Sequence, residues 1–453
     1  MLQRKVCFLK HILIVHTAID PTPYTQAQAD KGFCFSLLKK RPDINDEACF
    51  DNIIACDFET NFDQALAQVQ KLHAKEPIHG ITSFSETGVL MASFLAQELG
   101  LPSNHPRAAL CARNKYLMRK ALKEAHLSVP EFHLVHNAKA IHQHVQKRQA
   151  PMVLKPLSGS SSYGVIRIDP TDTQEEIEAH LDAVQTYIRT YREQYPQYPF
   201  EFWLPEAGHG IAPSDVMNPE TDFLLEGFIH GQQISVDGIV SNGQVSCFGV
   251  IEIERIKNTD YFLEYEEWMP TRLGTPTESR IKDTVEKAVH ALGLTNSCFH
   301  CELKINEQGI FVIEIAARRG ADNITDFLKR VMHIDIYEEG LRLATGESRI
   351  YVNHPYQGAM HMRYFLPDVS GSLIAIHGED TVRQDPRLSE LHFEFSLGDK
   401  LLAPPHGYEF LGYISVFGKT LQEANNTLEE LYAQIQFHID PQPVLQEQSE
   451  SVS

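Results

Sequence analysis

Residues 151–165 read Pro151-Met152-Val153-Leu154-Lys155-Pro156-Leu157-Ser158-Gly159-Ser160-Ser161-Ser162-Tyr163-Gly164-Val165. This is an apolar strand ending in a lysine, a Gly/Ser loop, and the start of another strand. Further along come His300-Cys301-Glu302-Leu303-Lys304 and Phe311-Val312-Ile313-Glu314-Ile315-Ala316-Ala317-Arg318. These read as two apolar strands that each carry one carboxylate. A cation beside a loop of open backbone amides suits phosphate oxygens. A pair of carboxylates suits magnesium. Together the two stretches predict ATP-dependent phosphoryl transfer.

The bulk composition is consistent with that chemistry. The chain has 453 residues, 43% apolar and 22% charged, as in an ordinary soluble globular protein with room for several cores. A formal charge of -20 leaves no basic stripe to displace counterions, which argues against nucleic-acid or anionic-membrane binding. It leaves room for a locally positive nucleotide site. The eight cysteines are scattered and read as reduced thiols of a cytoplasmic protein. Cys298 and Cys301 have CxxC spacing but lack a second such pair to complete a zinc site. The apolar run 12–15 is too short for a signal-peptide core, and no stretch reaches the ~18 apolar residues of a membrane span.

Short strands at 12–15, 53–55 and 80–84 and a helix at 89–99, closed by Gly100 and Pro102, predict a parallel α/β domain over residues 1–110. Helices follow at 114–125, 141–148 and 173–195, with strands at 132–135 and 223–229. Residues 196–219 read as a long loop. Asn242-Gly243 joins strands 234–240 and 245–251 as a hairpin. Ser279 is the expected cap of a helix carrying Ile281, Val285, Ala288, Val289 and Leu292, closed by Gly293. Beyond 353 the pattern is β-rich, with strands at 359–365, 373–376, 391–395 and 413–417 and a helix at 420–434. The fold class is therefore α/β combined with α+β.

Within this framework Lys155 offers a point charge to phosphates, or alternatively a solubilising charge on an edge strand. Ser158, Gly159, Ser160, Ser161, Ser162 and Gly164 form a loop whose amides can fold over phosphate oxygens. Lys115 begins a helix and is a second candidate phosphate contact. Glu226 ends an apolar strand, where its carboxylate and the backbone beyond it can meet adenine. Glu302 and Glu314 are the sharpest pair, because acids set into apolar strands need a partner or a cation. Salt bridges to Lys304 or Arg318 are the plainer explanation. Arg318 is also placed to stabilise a transferring phosphoryl group or to bind a carboxylate.

The order of these motifs resembles the ATP-grasp superfamily, and within it the carboxylate–amine ligases that include bacterial L-amino acid ligases. The segments that carry the resemblance are 82–86, 112–119, 155–164, 225–231 and 314–322. It implies an N-terminal parallel α/β domain (1–110), an ATP-grasp domain (111–353) with a lid subdomain at about 116–228, a β-rich C-terminal part (354–440), and a disordered tail (441–453). It further implies that Lys115 and Lys155 contact phosphates, and that Glu226 with the backbone of Phe228 and Ile229 holds adenine. Glu302 and Glu314 would bind Mg2+, with Mn2+ as a substitute, and Arg318 would face an acyl phosphate. Gln233 stands where the family commonly grips ribose with an acid, and Ala316 where a third metal ligand is often Asn. Residues 266–272 fall where related ligases contact substrate, making Arg272 a candidate carboxylate ligand. Glu267 and Asp322 are candidate general bases.

The resulting reading is a cytoplasmic ligase that joins small acids and amines through an acyl phosphate, compatible with a homodimer and with no nucleic-acid or membrane partner. The competing readings are an ATP-grasp ligase or carboxylase of nucleotide biosynthesis, and a non-catalytic nucleotide sensor.

Overall fold

Ile12, Leu13, Ile14 and Val15 are each 0% exposed, inside a parallel sheet with strand order Asn52–Ala55, Phe33–Lys39, Lys10–Val15, Gly80–Thr82. A strand covered on both faces reads as a continuous apolar run, and that is how residues 12–15 read. The strand Phe33–Lys39 was not anticipated; its buried Phe33, Phe35, Leu37 and Leu38 are interrupted by Cys34 and Ser36, which masks the run. The computed structural model describes residues 9–17, 20–58, 61–159, 164–194, 211–218, 220–256, 263–321, 323–347, 349–351, 354–403 and 410–441. Among the expectations above, Ser160, Ser161, Ser162, Asp322, most of the 196–219 loop and nearly all of the tail lie outside the described residues. Two compact units are present: Met1–Phe248 with Leu273–Thr325 and Asp335–His354, and Gly249–Arg272 with Asp326–Ile334 and Pro355–Ser453.

The first unit contains the parallel sheet and two antiparallel systems. One has the order Phe132–Val135, Phe223–Gly227, Met152–Pro156, Ile166–Ile168. Helices Ala138–Arg148 and Gln174–Gln194 cover it, burying Ile141, Val145, Ile177 and Val184 against Met152, Leu154 and Leu225. The Lys155 strand and Ile166–Ile168 pair with Met152 opposite Ile168, so the Gly/Ser segment does connect a hairpin. The other system runs Gly309–Ala316, Asn296–Asn306, Gln232–Ser241. Asn242 (φ 49°) and Gly243 (φ 79°) turn the chain out of the last of these, both in the left-handed region that a two-residue hairpin of this kind requires.

Two helices need separate comment. Asn114 caps Lys115–Glu124 by accepting from the amides of Tyr116 and Leu117 at 3.0 Å each, which makes Lys115 the first helical residue. The helix expected to be capped by Ser279 instead spans Thr275–Leu292. Pro276 lies in its first turn, where the missing N–H is not needed, so the helix starts earlier than the serine suggests.

The second unit is β-rich, as expected. From Gly249 onward the strand Gln244–Arg255 pairs with Glu264–Met269, followed by Ala359–Phe365, Gly412–Gly418 and Leu388–Phe393, all antiparallel. Helix Leu421–Tyr432 buries Ala424, Leu428 and Leu431 in a core with Ile414, Val416 and Phe365. Among the described residues no helix is long and apolar enough to cross a membrane.

The Asn114 cap yields a direct test. Asn114→Ala is expected to cost about 1 kcal/mol, read as a lower urea midpoint, whereas Asn114→Asp retains most of it.

Candidate functional site

Lys155 and Glu226 lie on one face of neighbouring strands, with Lys155 paired to Leu224 and Val153 paired to Glu226. The Lys155 Nζ donates to Glu226 Oε1 at 2.5 Å. Arg119 Nε donates to the other oxygen at 2.7 Å, and its Nη2 also reaches Ile313 O at 2.8 Å. All three are buried, Arg119 completely. Burial alone would raise the Glu226 pKa, but Arg119 and Lys155 overcome it and hold the carboxyl down at about 2. Burial pushes the Lys155 pKa down, with Arg119 and Lys115 adding to the effect against the pull of Glu226. Two cations thus share one carboxylate, leaving surplus positive charge at the end of the Lys155 strand.

The Gly/Ser segment begins beside this cluster. Gly159 (φ 124°) and Gly164 (φ 71°) bracket it, each in a backbone region that other residues adopt only with strain. The Ser158 hydroxyl is buried without a hydrogen-bond partner among the described residues. Lys115 donates to Gly159 O at 2.9 Å and to Glu314 at 3.1 Å, tying the loop to the Glu314 strand.

Glu302 and Glu314 are directly opposed across the two strands, at a register shift between Glu302 and Leu303. Like charges facing each other in this way are destabilising without a cation. On the same face of the next strand, Ser235 lies opposite Glu302, Gln233 opposite Lys304, and Asp237 opposite His300. Gln233 Nε2 lies 3.5 Å from Glu302 Oε2, and His300 Nε2 is 3.8 Å from Glu302 Oε1. His300 Nδ1 meets Asp237 at 3.0 Å, and the other Asp237 oxygen accepts from Gly320 N at 2.8 Å. Burial opposes charge on His300, but Asp237 and Glu302 raise its pKa well above the ordinary value. Ala316 is paired with His300 across the strands and offers no ligand.

Arg318 is engaged by Glu86, which also binds Arg113. Burial would raise the Glu86 pKa, yet Arg318 and Arg113 hold it down at about 2. The guanidinium of Arg318 also donates to Arg319 O at 2.6 Å.

The structure gives several expected residues unexpected partners. The Glu226 carboxylate meets Arg119 and Lys155 instead of standing open to an adenine amino group. Phe228 N donates to Pro151 O at 3.1 Å, and Ile229 O accepts from Lys304 at 2.8 Å. Arg167 and Lys304 lie over the Phe228 ring at 5.4 and 5.0 Å. Glu267 and Arg272 belong to the second unit. Glu267 is 1% exposed and points to the opposite face of its strand from Glu266 and Trp268. Glu86, Arg113, Arg119, Asp237 and His300 received no role from the sequence. Asp237 carried the same signal as Glu302, an acid in an apolar strand; the others depend on long-range pairing.

The residues suit a nucleotide and magnesium. Surplus positive charge, an unpartnered buried hydroxyl and a glycine-framed loop suit phosphate oxygens. Among the described residues no group of three or more His, Cys, Asp or Glu side chains gathers as a metal site. The two facing carboxylates are what magnesium takes from a protein when a triphosphate and water supply its other ligands.

Comparison with known proteins agrees along the chain. The ATP-grasp N-terminal domain family matches residues 39–103, ATP-grasp domain families match 112–192 and 208–326, and L-amino acid ligase C-terminal domain 2 matches 363–440. An uncharacterized protein of Sinorhizobium fredii is 21% identical over 440 residues, 97% of this chain and 85% of that one. Alanine–anticapsin ligase of Bacillus subtilis is 25% identical over 280 residues, 60% of this chain and 55% of that enzyme, so the chain spans about half the length of that relative. The crystal structure of L-amino acid ligase from Bacillus licheniformis superposes with a TM-score of 0.78 at 21% identity, covering 96% of this chain and 100% of that one. The fold is the ATP-grasp fold, with a parallel N-terminal domain and a β-rich C-terminal region.

The buried triad makes acid stability testable. An unfolded glutamate takes up its proton near 4.5, whereas folded Glu226 does so only near 2. Protons therefore favour the unfolded chain as the pH falls; the contribution is complete above about 4.5 and is lost on descending towards 2. Glu226→Gln should remove that share of the acid sensitivity in urea unfolding. It should also cost about 3–5 kcal/mol at neutral pH, because Arg119 and Lys155 lose their buried counter-charge.

Proposed function

The chain belongs to the ATP-grasp family of carboxylate–amine ligases, and on that footing we propose that it joins a small carboxylic acid to an amine while converting ATP to ADP and phosphate. The observation that supports this reading most is the facing pair Glu302 and Glu314, with Lys115 spanning from Glu314 to the Gly159 carbonyl. That arrangement sets a carboxylate pair beside a phosphate-binding loop and a cation.

In this reading Lys115 and Lys155 grip phosphates, and the Ser158 hydroxyl and loop amides close over them. Glu226 acts through Lys155 by fixing its ammonium. Phe228 and Ile229 border the adenine, and Gln233 hydrogen-bonds the ribose. Glu302 and Glu314 hold magnesium, which withdraws charge from the transferring phosphoryl group when bound. The substrate carboxylate attacks the γ-phosphate, giving an acyl phosphate and ADP. The amine then attacks the acyl carbon, the C–O bond to phosphate breaks, and an amide forms. Arg318, held by Glu86, stabilises negative charge on the acyl phosphate. The enzyme's contribution is mainly positioning and charge neutralisation.

The L-amino acid ligase C-terminal domain match over 363–440 favours amino acids over an intermediate of nucleotide biosynthesis. Phosphate release from ATP and magnesium should require both an amino acid as acid donor and an amine. Glu314→Gln should lower that release roughly a hundredfold or more while the variant keeps its circular dichroism spectrum. Normal turnover by this variant would remove Glu314 from the metal site.

A further inference from the structure

Asp237 is fully buried in the strand Gln232–Ser241, as are Ile234, Val236, Ile239 and Val240 around it. A carboxylate in such a place is costly unless its oxygens are engaged. Here both are. Oδ2 meets His300 Nδ1 at 3.0 Å, and Oδ1 accepts from Gly320 N at 2.8 Å. Partnering the imidazole takes one oxygen; the other is committed to backbone beyond the Glu314 strand.

That second contact spans two strands. Asp237 is paired with His300, and His300 with Ala316, so the three residues stand abreast. The chain that leaves Ala316 turns back across the His300 strand before Gly320 reaches Asp237. Glycine is what permits the approach: a Cβ at 320 would stand 2.9 Å from Asp237 Oδ1, 2.9 Å from His300 Nδ1 and 2.7 Å from Ile324 Cδ1. The arginines of the turn fold back onto its backbone. Arg318 donates to Arg319 O and Arg319 to Gly320 O, each at 2.6 Å, and the Arg319 guanidinium lies 4.9 Å from the centroid of the Tyr337 ring. Glu86 binds the Arg318 guanidinium itself. The head of Arg318 is thus held by Glu86, and the backbone of its turn by Asp237.

We propose that Asp237 is a positioning residue: by accepting from the Gly320 amide it fixes the 318–320 turn and so sets where the Arg318 guanidinium meets the transferring phosphoryl group. Its hold on the turn is independent of the reaction; its effect on phosphoryl transfer rests on the ligase reading above. A guanidinium that stabilises developing charge works only in place, and an ångström of displacement can cost about a hundredfold in rate. A carboxylate suits the task, because its bond to an amide is charge-assisted and stronger than a neutral one.

Three variants separate the turn from the charge. Asp237→Val removes both acceptors. Gly320→Ala pushes the turn away and leaves every charge in place. Asp237→Asn keeps an oxygen for the Gly320 amide and gives up the negative charge. Asp237→Val and Gly320→Ala should each lower kcat for acid- and amine-dependent phosphate release roughly ten- to a hundredfold and leave the KM for ATP within about twofold, whereas Asp237→Asn keeps at least about a third of kcat. Added to Arg318→Ala, Gly320→Ala should cost less than about a further twofold, because the turn acts through that guanidinium. Without nucleotide or substrates, deuterium exchange in the peptide carrying the Gly320 amide should be faster in Asp237→Val and close to native in Asp237→Asn. Normal turnover by Gly320→Ala, a loss confined to the KM for ATP, an undiminished further loss in the Arg318→Ala background, or an Asp237→Asn variant as slow as Asp237→Val overturns the proposal. Unchanged exchange in Asp237→Val overturns it too, and Gly320→Ala decides the matter where Asp237→Val does not fold. Absence of phosphate release from the native chain with every acid and amine pair, alongside the expected exchange, removes the ligase reading and leaves Asp237 as the anchor of the turn.

Discussion

Positive charge outnumbers negative around Glu226, and negative charge faces negative across Glu302 and Glu314. Neither arrangement is favourable alone. Arg119 and Lys155 share one buried carboxylate, and burial lowers the Lys155 pKa, with Arg119 and Lys115 adding to the effect against the pull of Glu226. The two acids share opposed positions on neighbouring strands, where only a cation relieves the repulsion. In the proposed reading, a polyanion with its own divalent ion meets the surplus positive charge and adds to the relief that Lys115 gives Glu314 and His300 gives Glu302. Lys115 is the mechanical link between them, because one ammonium touches both the Gly159 carbonyl and Glu314.

The same contacts hold the first unit's parts in register. Arg119 extends from the helix Lys115–Glu124 to Glu226 on one sheet and to the Ile313 carbonyl on another. Glu86, just past the last strand of the parallel sheet, binds Arg113 on one helix and Arg318 beyond the Glu314 strand. Asp237 joins His300 on the adjacent strand to the Gly320 amide. Each device joins segments far apart in sequence through a carboxylate, so the geometry of the site and the docking of its supporting elements depend on the same charges.

That dependence explains which parts were legible beforehand. Lys155, Glu302 and Glu314 stood out because each is a charge in an apolar strand, a signal local to its own segment. The hairpin at Asn242-Gly243 and the parallel strand at 12–15 were readable for similar local reasons. Glu86, Arg113 and Arg119 sit in segments that carry the resemblance, but no local signal gave them roles, and their importance comes from partners far away in the chain. The same limit affected Glu226: its strand position was readable, but its two cationic partners were not. The strand Phe33–Lys39 was missed because Cys34 and Ser36 interrupt its apolar run. The early start of Thr275–Leu292 was missed because a serine cap is a louder signal than a proline in a first turn.

The buried charges are also weak candidates for mere stabilisers of the fold. Taking Arg119, Glu226 and Lys155 out of water costs several kcal/mol per ion, of the order that their mutual attraction returns, and well-packed apolar replacements of similar volume are often as stable or more so. A core built for stability alone would have little use for two cations on one carboxylate. On the proposed function, their presence at the end of a strand, beside glycines in the left-handed region and a serine hydroxyl with no partner among the described residues, is accounted for by what the surplus charge can hold. In that reading, a bound triphosphate would offset the cost of burying them, because its phosphates would meet a cation already desolvated and fixed in place. Preorganisation of that kind is the main route by which a protein with no obvious nucleophile can favour phosphoryl transfer.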